Sequence, residues 1–345
     1  MRDHFLRPPS ARGSSTSANG EASRAHADAA ETPVAAASEA FAHGVTAVAD
    51  LLRRAEDLPS LPAAAARVIQ LAGSPDVPAK QVSDAVSMDP ALTARVLRVV
   101  NSAAFGMSRQ ITTVSHAVVI MGMSALRSAI ISATVAGQFR IDQRSCGVDP
   151  VAFWHHSAAS GAGSRLTAKH LGLGVPGEMF VAGLLHDMGR LVLARLLPEH
   201  CRRIARRRQE ENVDILQAEL DEFGCTHCHA GWWLADQWNL PEQLQWAAGH
   251  HHGSADASYH ASTVAVTHVG DLLARAAGAD EGEAWPLRSD DAAPEVSWEG
   301  WIHPDCWETM RGLKRDLTLS EMPILQKRLQ GELSACSVLA TGLAD

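Results

Sequence analysis

Apolar residues recur at helical spacing along most of this chain, and that pattern constrains its fold more than any other feature. No run of alternating apolar and polar residues is bounded by hairpin turns, so strands are not expected. Shortly after residue 90, one helical stripe is formed by Leu92, Val96, Val99 and Val100. The sequence therefore predicts an all-α protein with two packed helical layers and a tail.

Prolines and glycines mark where several predicted helices begin and end. Asp89-Pro90 opens a helix, because aspartate is a preferred N-cap and proline fits the first helical position. A helix from Val114 is interrupted at Gly122 and another continues to about Val135. The remaining predicted helices cover 150–171, 177–196, 197–210, 213–222, 225–238, 241–251, 259–276 and 319–333.

Composition divides the chain into three parts. Residues 1–45 are rich in Ala, Ser, Gly and Arg and bury too little apolar surface to offset their ordering entropy, so they are predicted to be disordered. An alanine-rich stretch near 34–57 can nevertheless form a helix. Residues 46–276 form the domain, with a first layer at 58–138 and a second at 150–276. Residues 277–345 form a C-terminal tail with short helices, expected to pack across the second layer.

Charge and hydropathy exclude several classes of protein. The chain has no apolar run long enough to span a membrane and no apolar secretion signal, so we expect it in the cytoplasm, away from membranes. Its formal net charge of −9 does not favour nucleic acid as a partner. Its 6 cysteines are scattered and indicate no disulfide framework. Cys225 to His229 spells the CxxCH of haem attachment, but that chemistry normally requires export.

Adjacent His186 and Asp187 form the most informative motif. The apolar Val181, Leu184 and Leu185 place the pair against the core, where an unpaired charge would be costly. On one helix the two side chains point about 100° apart, and they can still converge on a cation at the helix edge. An imidazole with a carboxylate suits Mn, Fe or Zn better than Ca or Mg.

Histidine is abundant, with 17 residues against a single tyrosine. Each further candidate ligand also has an ordinary explanation. A buried histidine can be hydrogen-bonded within the core, a histidine run can cap a helix C-terminus, and Asp271 can pair with Arg275 one turn later. Metal binding and these ordinary roles both stay open at this point for His155, His156, His227, His229, His250, His251, His252 and Asp271.

Two stretches within about residues 50–275 resemble the HDOD domain, an HD-related output domain of bacterial signalling proteins. The first stretch contains Leu58-Pro59-Ser60-Leu61-Pro62, Asp89-Pro90-Ala91-Leu92, Val99-Val100-Asn101-Ser102-Ala103, Phe105-Gly106, Ile111, Ala117, Ile120 and Gly122. The second contains Phe153-Trp154-His155-His156-Ser157, Gly183-Leu184-Leu185-His186-Asp187-Met188-Gly189, His227, Gly231, Trp238-Asn239-Leu240-Pro241 and His251-His252.

The resemblance implies a multi-helix HD-like fold related to metal-dependent phosphohydrolases such as the HD-GYP phosphodiesterases. It also implies a site for one or two divalent cations, Fe, Mn or Zn. Many HDOD domains lack these ligands. Here the motif order maps the metal ligands onto His156, His186, Asp187, His227, His251, His252 and Asp271.

Two hypotheses follow from the resemblance. The favoured one is a regulatory signalling module that keeps a metal site, with other signalling proteins as partners and a phosphorylated nucleotide as a conceivable ligand. The alternative is a metal-dependent phosphodiesterase, in which two cations about 3.5–4 Å apart are bridged by Asp187. In that case Asp187 and Arg190 are the catalytic residues, and Arg190 contacts phosphate. No GYP motif follows His252, and Arg190 stands where lysine is usual.

Overall fold

The computed structural model describes residues 33–53, 63–73, 76–101, 110–139, 146–173, 176–253, 260–279, 298–311, 313 and 317–344. Within these ranges the chain forms α-helices and one short 3-10 helix, without strands. The predicted all-α fold is confirmed. None of the helices in this part of the chain is long and apolar enough to cross a membrane.

The first layer packs around one long, kinked helix. Among the residues that the structure describes, its helices are α2 (Ala63–Gly73), α3 (Ala79–Ser87), α4 (Pro90–Val100) and α5 (Val114–Ala136). The Asp89 side chain accepts hydrogen bonds from the backbone N–H groups of Ala91 and Leu92, as an N-cap should. Helix α5 bends at Gly122, whose φ of 80° lies in the left-handed region. The predicted interruption is therefore a kink within α5.

In the described residues, the second layer contains eight helices, and it carries the candidate site. They are α6 (Pro150–His170), α7 (Pro176–Leu185), α8 (Met188–Leu196), α9 (Pro198–Glu211), α10 (Ile215–Phe223), α11 (His227–Gln237), α12 (Glu242–His250) and α13 (Ala261–Ala276). Helix α6 is central and packs against both α7 and α13, while α5 packs on α7 and joins the two layers. The segment predicted as one helix at 177–196 is two helices, separated at His186-Asp187.

An N-terminal helix, α1 (Pro33–Arg53), packs against α11. This shortens the segment predicted to be disordered, since residues 33–45 are helical and only residues 1–32 of it lie outside the described part. The physical reason is tertiary burial: Val48 is fully buried, and the Phe41 ring stacks on His250 with centroids 4.2 Å apart. The alanine-rich stretch near 34–57 is helical as far as Arg53, as its composition indicated, and residues 54–57 lie outside the described part.

The C-terminal segment belongs to the same hydrophobic core. Its elements are α14 (Trp298–Trp301), α15 (Pro304–Arg311), a 3-10 turn (Leu319–Glu321), α16 (Met322–Gln330) and α17 (Leu333–Ala344). Helix α15 packs on α13, and α16 and α17 pack on α6. Helix α17 also contacts α4 and α5 of the first layer. The sequence predicted one helix at 319–333, where the structure has α16 and then a separate α17.

Candidate metal centre

The His186-Asp187 pair lies in a turn between α7 and α8. Asp187 has φ −96° and ψ 13°, outside the helical region, and Met188 begins the next helix. The expectation that both residues lie on one helix is therefore wrong. The turn removes the fixed helical angle between the two side chains, and the His186 Nε2 atom lies 3.5 Å from Asp187 Oδ2.

A close crossing of α8 and α11 positions this turn. A Cβ atom on Gly189 would collide with the carbonyl oxygen of His227 and would lie 2.5 Å from the backbone nitrogen of Gly231. Only a residue without a side chain allows the two backbones to approach this closely. Gly189 therefore brings the start of α8, with Asp187, against the start of α11, with His227.

The first group of candidate ligands comes from α6, the turn and α13. His156 Nε2 lies 3.0 Å from Asp271 Oδ1, and His186 Nε2 lies 3.7 Å from the same oxygen. Nitrogen and oxygen atoms of His156, His186 and Asp187 lie within 4.8 Å of one another. All four side chains are at most 3% exposed. The structure thus brings together residues that are far apart in sequence.

The second group comes from α11 and the end of α12. The Nε2 atom of His227 lies 3.4 Å from Nε2 of His251 and 3.1 Å from Nε2 of His252. Asp187 Oδ1 lies 3.3 Å from His227 Nε2 and 3.0 Å from His251 Nε2. Asp187 therefore faces both groups. His252 is the one sequence-predicted ligand that is only partly buried.

Four of the histidines are oriented by hydrogen bonds at their outer ring nitrogen. In each case Nδ1 faces an acceptor, so the neutral ring carries its proton there and Nε2 offers a lone pair to the centre. The four contacts are His156 to Ala279 O at 2.9 Å, His186 to Gly183 O at 2.7 Å, His227 to Glu219 Oε2 at 2.7 Å, and His251 to Ala247 O and Ala248 O at 3.2 Å.

Glu219 is a supporting residue that the sequence analysis missed. Its carboxylate accepts hydrogen bonds from both the Nδ1 atom and the backbone N–H of His227, and its side chain is 4% exposed. A signal existed in the sequence, because Ile215, Ala218 and Glu219 share the buried stripe of α10. An acidic residue on an apolar stripe calls for a buried partner.

Both central carboxylates are ionised. Burial alone would raise the pKa of Asp187, but nearby His186 and His227 hold it well below its ordinary value. Burial likewise opposes ionisation of Asp271, and Arg275 and His156 lower its pKa well below the usual range. Arg275 Nε donates to Asp271 Oδ1 at 2.9 Å. Asp271 therefore pairs with Arg275 one turn later and also lies beside His156.

The histidines of the centre differ in charge. Burial lowers the pKa of His186 to about 3, and burial with His251 and His227 nearby lowers that of His252 well below its usual value. Burial also acts against charge on His227, but Glu219, Cys228 and Asp187 raise its pKa well above the ordinary value. Neutral His186 and His252 keep lone pairs available, while the surroundings of His227 favour a positive charge.

Three neighbouring histidines lie outside both ligand groups in the described residues. The Nδ1 atom of His229 accepts a hydrogen bond from the backbone of Thr226 and caps α11. The ring of His250 stacks on Trp246 as well as on Phe41. His155 belongs to neither ligand group among the described residues. The geometry thus separates His156, His227 and His251-His252 from these neighbours in the way the motif order did.

The donor set fits a divalent cation. His186 Nε2 is buried without a hydrogen-bond partner in the described structure, which is costly for a polar atom. Imidazole nitrogens with ionised carboxylates are the ligands that Zn, Fe and Mn accept. His156, His186, Asp187 and Asp271 would hold one cation, and His227, His251 and His252 would hold a second one. Arg190 lies beside this centre, 7% exposed, with its Nη1 atom 3.6 Å from Asp187 Oδ2.

Comparisons with known proteins identify relatives in sequence and in fold. A protein of Treponema pallidum is 28% identical over 207 residues, which cover 59% of this chain and 39% of that protein. The match thus spans about two fifths of the length of this relative. An HDOD domain protein of unknown function from Geobacter sulfurreducens has a TM-score of 0.69 at 23% identity, covering 87% of this chain and 98% of that one.

Two further solved structures share the fold. A proposed phosphohydrolase from Shewanella amazonensis SB2B has a TM-score of 0.66 at 24% identity, covering 86% of this chain and 98% of that one. A proposed signal transduction protein from Marinobacter aquaeolei VT8 also has a TM-score of 0.66, at 19% identity, covering 88% of this chain and 66% of that one. The HDOD domain profile matches residues 58–254, more than half of the sequence, and the chain therefore belongs to the HDOD domain family.

Proposed function

We propose that this protein is a regulatory module of bacterial signal transduction whose buried His and Asp cluster binds a divalent metal ion, Fe, Mn or Zn. The observation that carries this proposal is the burial of the cluster. Six of the seven predicted ligands are at most 2% exposed: His156, His186, Asp187, His227, His251 and Asp271. A closed site of this kind suits a metal that holds helices together better than one that receives substrate.

A metal bound there would connect distant parts of the domain. Its ligands come from α6, the turn before α8, the start of α11, the end of α12 and α13. Occupancy would favour the arrangement in which these elements meet and would stabilise the folded domain. Membership of the HDOD family and the shared fold of the Marinobacter protein support a signalling role. We infer a cytoplasmic location with other signalling proteins as partners.

A second candidate function is metal-dependent hydrolysis of a phosphodiester, with a phosphorylated nucleotide as the ligand class. The observation that favours it is Arg190, whose guanidinium lies beside Asp187 where it could bind a phosphate oxygen. His252, which is partly exposed, marks the side from which a ligand could approach. Metal ions, when bound, would supply an activated water and charge stabilisation. Asp187 would orient the centre.

Metal analysis and activity of the purified full chain separate the two functions. We expect one or two equivalents of Fe, Mn or Zn, a lower melting temperature after chelation, and no turnover of bis(p-nitrophenyl) phosphate with any of the three metals. Absence of bound metal after reconstitution would refute the metal site. Metal-dependent turnover that is lost in Asp187→Asn would favour the hydrolase. In cells, the His186→Ala/Asp187→Ala variant should retain partner binding but respond differently to metal limitation.

A further inference from the structure

Cys228 lies inside the second ligand group, and no role has yet been assigned to it. Its sulfur and the ring nitrogens of His227, His251 and His252 all lie within 4.8 Å of one another. The side chain is buried, with 7% of its surface exposed. It immediately follows His227 in the first turn of α11. The group therefore offers one sulfur and three nitrogen donors, whereas the first group offers only nitrogen and oxygen.

The three imidazoles require a proton or a cation between their inner nitrogens. The Nδ1 atoms of His227 and His251 face acceptors, so in the neutral rings both Nε2 lone pairs are directed inward. With Nε2 of His252 only 3.1 Å from that of His227, the lone pairs repel unless a proton or a metal ion lies between them. A cation placed there is also within reach of the Cys228 sulfur.

A buried cysteine often serves only as a small apolar residue. Cys225 illustrates this case three residues earlier. It is fully buried and belongs to neither ligand group in the described structure, and burial together with Glu219 raises the pKa of its thiol to about 12. Cys228 differs in its position among three converging imidazoles. The chain thus contains a matched pair of buried cysteines, one at the centre and one away from it.

We propose that Cys228 is the fourth protein ligand of the cation that His227, His251 and His252 bind. This inference rests on the proposed metal-binding function and makes it more specific. The sulfur binds as a thiolate, and its proton is released to solvent. One sulfur and three nitrogens supply four protein ligands, the number that closed, structural zinc sites use. With Asp187 Oδ1 also adjacent, that cation has no ligand position left for substrate.

The two halves of the centre therefore differ in preference. The half with Cys228 favours Zn²⁺ or another cation that accepts a thiolate, and the half with His156, His186, Asp187 and Asp271 favours Fe or Mn. We expect zinc to be retained in the second ligand group, with Cys228, when mild chelation empties the first. In such a division one cation has a structural role, and only the other cation exchanges with metal ions in solution.

A cobalt titration of the chelator-treated full chain tests this proposal. A thiolate bound to Co²⁺ produces an intense sulfur-to-metal absorption in the near ultraviolet, which nitrogen and oxygen ligands do not. We expect this band in the wild type and in Cys225→Ser, and its loss in Cys228→Ser, which should still bind Co²⁺ in the first ligand group, with His156, His186 and Asp187. Cobalt binding to the wild type without the band would overturn the role of Cys228 and leave the proposed function intact.

Other outcomes are also decisive. If the wild type binds no Co²⁺, Zn²⁺ or Mn²⁺, the proposed function fails together with this inference. If the band survives in Cys228→Ser and is lost in Cys225→Ser, the assignment of the sulfur is wrong. X-ray absorption at the zinc edge of the wild type needs no variant and therefore covers the case in which Cys228→Ser does not fold. It should show a sulfur at about 2.3 Å from zinc, and a shell of only nitrogen and oxygen would refute the proposal.

Discussion

Asp187 Oδ1 lies 3.0 Å from Nε2 of His251, so the turn between α7 and α8 meets the C-terminal end of α12 at a single carboxylate. The other oxygen of Asp187 lies 3.5 Å from His186 Nε2. One carboxylate thus faces both ligand groups, and it is 1% exposed. Because a buried, ionised carboxylate is costly without positive partners, Asp187 is the residue on which metal binding depends most.

Replacing Asp187 with asparagine should abolish metal binding in the first ligand group while keeping the shape of the side chain. The amide carries no negative charge, and we expect affinity for Mn²⁺ to fall by more than about 100-fold, beyond the loss usual for supporting residues. Metal content by mass spectrometry and calorimetric titration measure this. Asp84→Asn is the control, since Asp84 pairs with Lys80 on the exposed face of α3. Wild-type metal content in Asp187→Asn would contradict the assignment.

Much of this centre could be predicted from the sequence, because its candidate ligands lie in short sequence motifs. His186-Asp187 and the histidines of α11 and α12 appear in a fixed motif order, and that order selects the residues that the structure brings together. The turn at Asp187 could not be predicted, because apolar spacing continues through 177–196 as if the helix were unbroken. The break follows from the approach of α8 to α11 at Gly189, a tertiary contact.

Near both ends of the chain, tertiary packing again decides structure that sequence patterns alone do not predict. Helix α1 has a composition that suits either a disordered segment or a helix, and packing of Phe41 and Val48 decides in favour of the helix. Helix α17 joins both layers through long-range contacts that apolar periodicity does not reveal. Glu219 and Cys228 were missed for a related reason: each becomes informative only once His227 is placed beside it.

Gly189→Ala should destabilise the domain through overpacking. The added methyl group would collide with the backbone of α11 at His227, and backbone atoms cannot move aside as a flexible side chain can. We expect a loss of about 1–3 kcal/mol in the free energy of unfolding, measured by urea denaturation. Gly300→Ala in α14 is the matched control, because no described residue lies within 4 Å of its added methyl group. Equal stability of the two variants would exclude the close crossing.

Gly44→Ala should release α1 from the domain. Gly44 is buried, and a methyl group there would collide with the ring of His229, which is held in place by its hydrogen bond from Thr226 and by Phe41 at 4.7 Å. We expect amides of residues 33–53 to exchange about tenfold faster or more in hydrogen-exchange mass spectrometry, consistent with an overpacking cost of about 1–3 kcal/mol, while α11 keeps its protection.

Thr46→Ala is the control for this experiment, because Thr46 is exposed on α1 and its hydroxyl bonds only to the carbonyl of Ala42. It should leave exchange in α1 nearly unchanged. Unaltered protection of α1 in Gly44→Ala would show that the helix tolerates a wider separation from α11 than the structure has. Loss of protection throughout the domain would instead show that α1 is required for its folding.

The stack of His250 between Phe41 and Trp246 should make stability depend on pH. Burial, with His229 and His251 nearby, lowers the pKa of His250 to about 4 in the folded protein, against about 6.5 in an unfolded chain. Between these pH values the unfolded chain binds a proton that the folded one does not. The free energy of unfolding therefore falls as the pH falls, by about 1.4 kcal/mol per pH unit for this group.

His250→Phe retains a stacked ring and removes this titration. We expect its unfolding free energy to run parallel to that of the wild type above about pH 6.5. Between about pH 6.5 and 4 it should decline less steeply than the wild type, by about 1.4 kcal/mol per pH unit. Urea denaturation in excess chelator at several pH values measures both curves, and chelation removes the pH dependence of metal binding. Equal slopes in that window would mean that His250 is protonated in the folded state, and that the contact between α1 and α12 opens to water in acid.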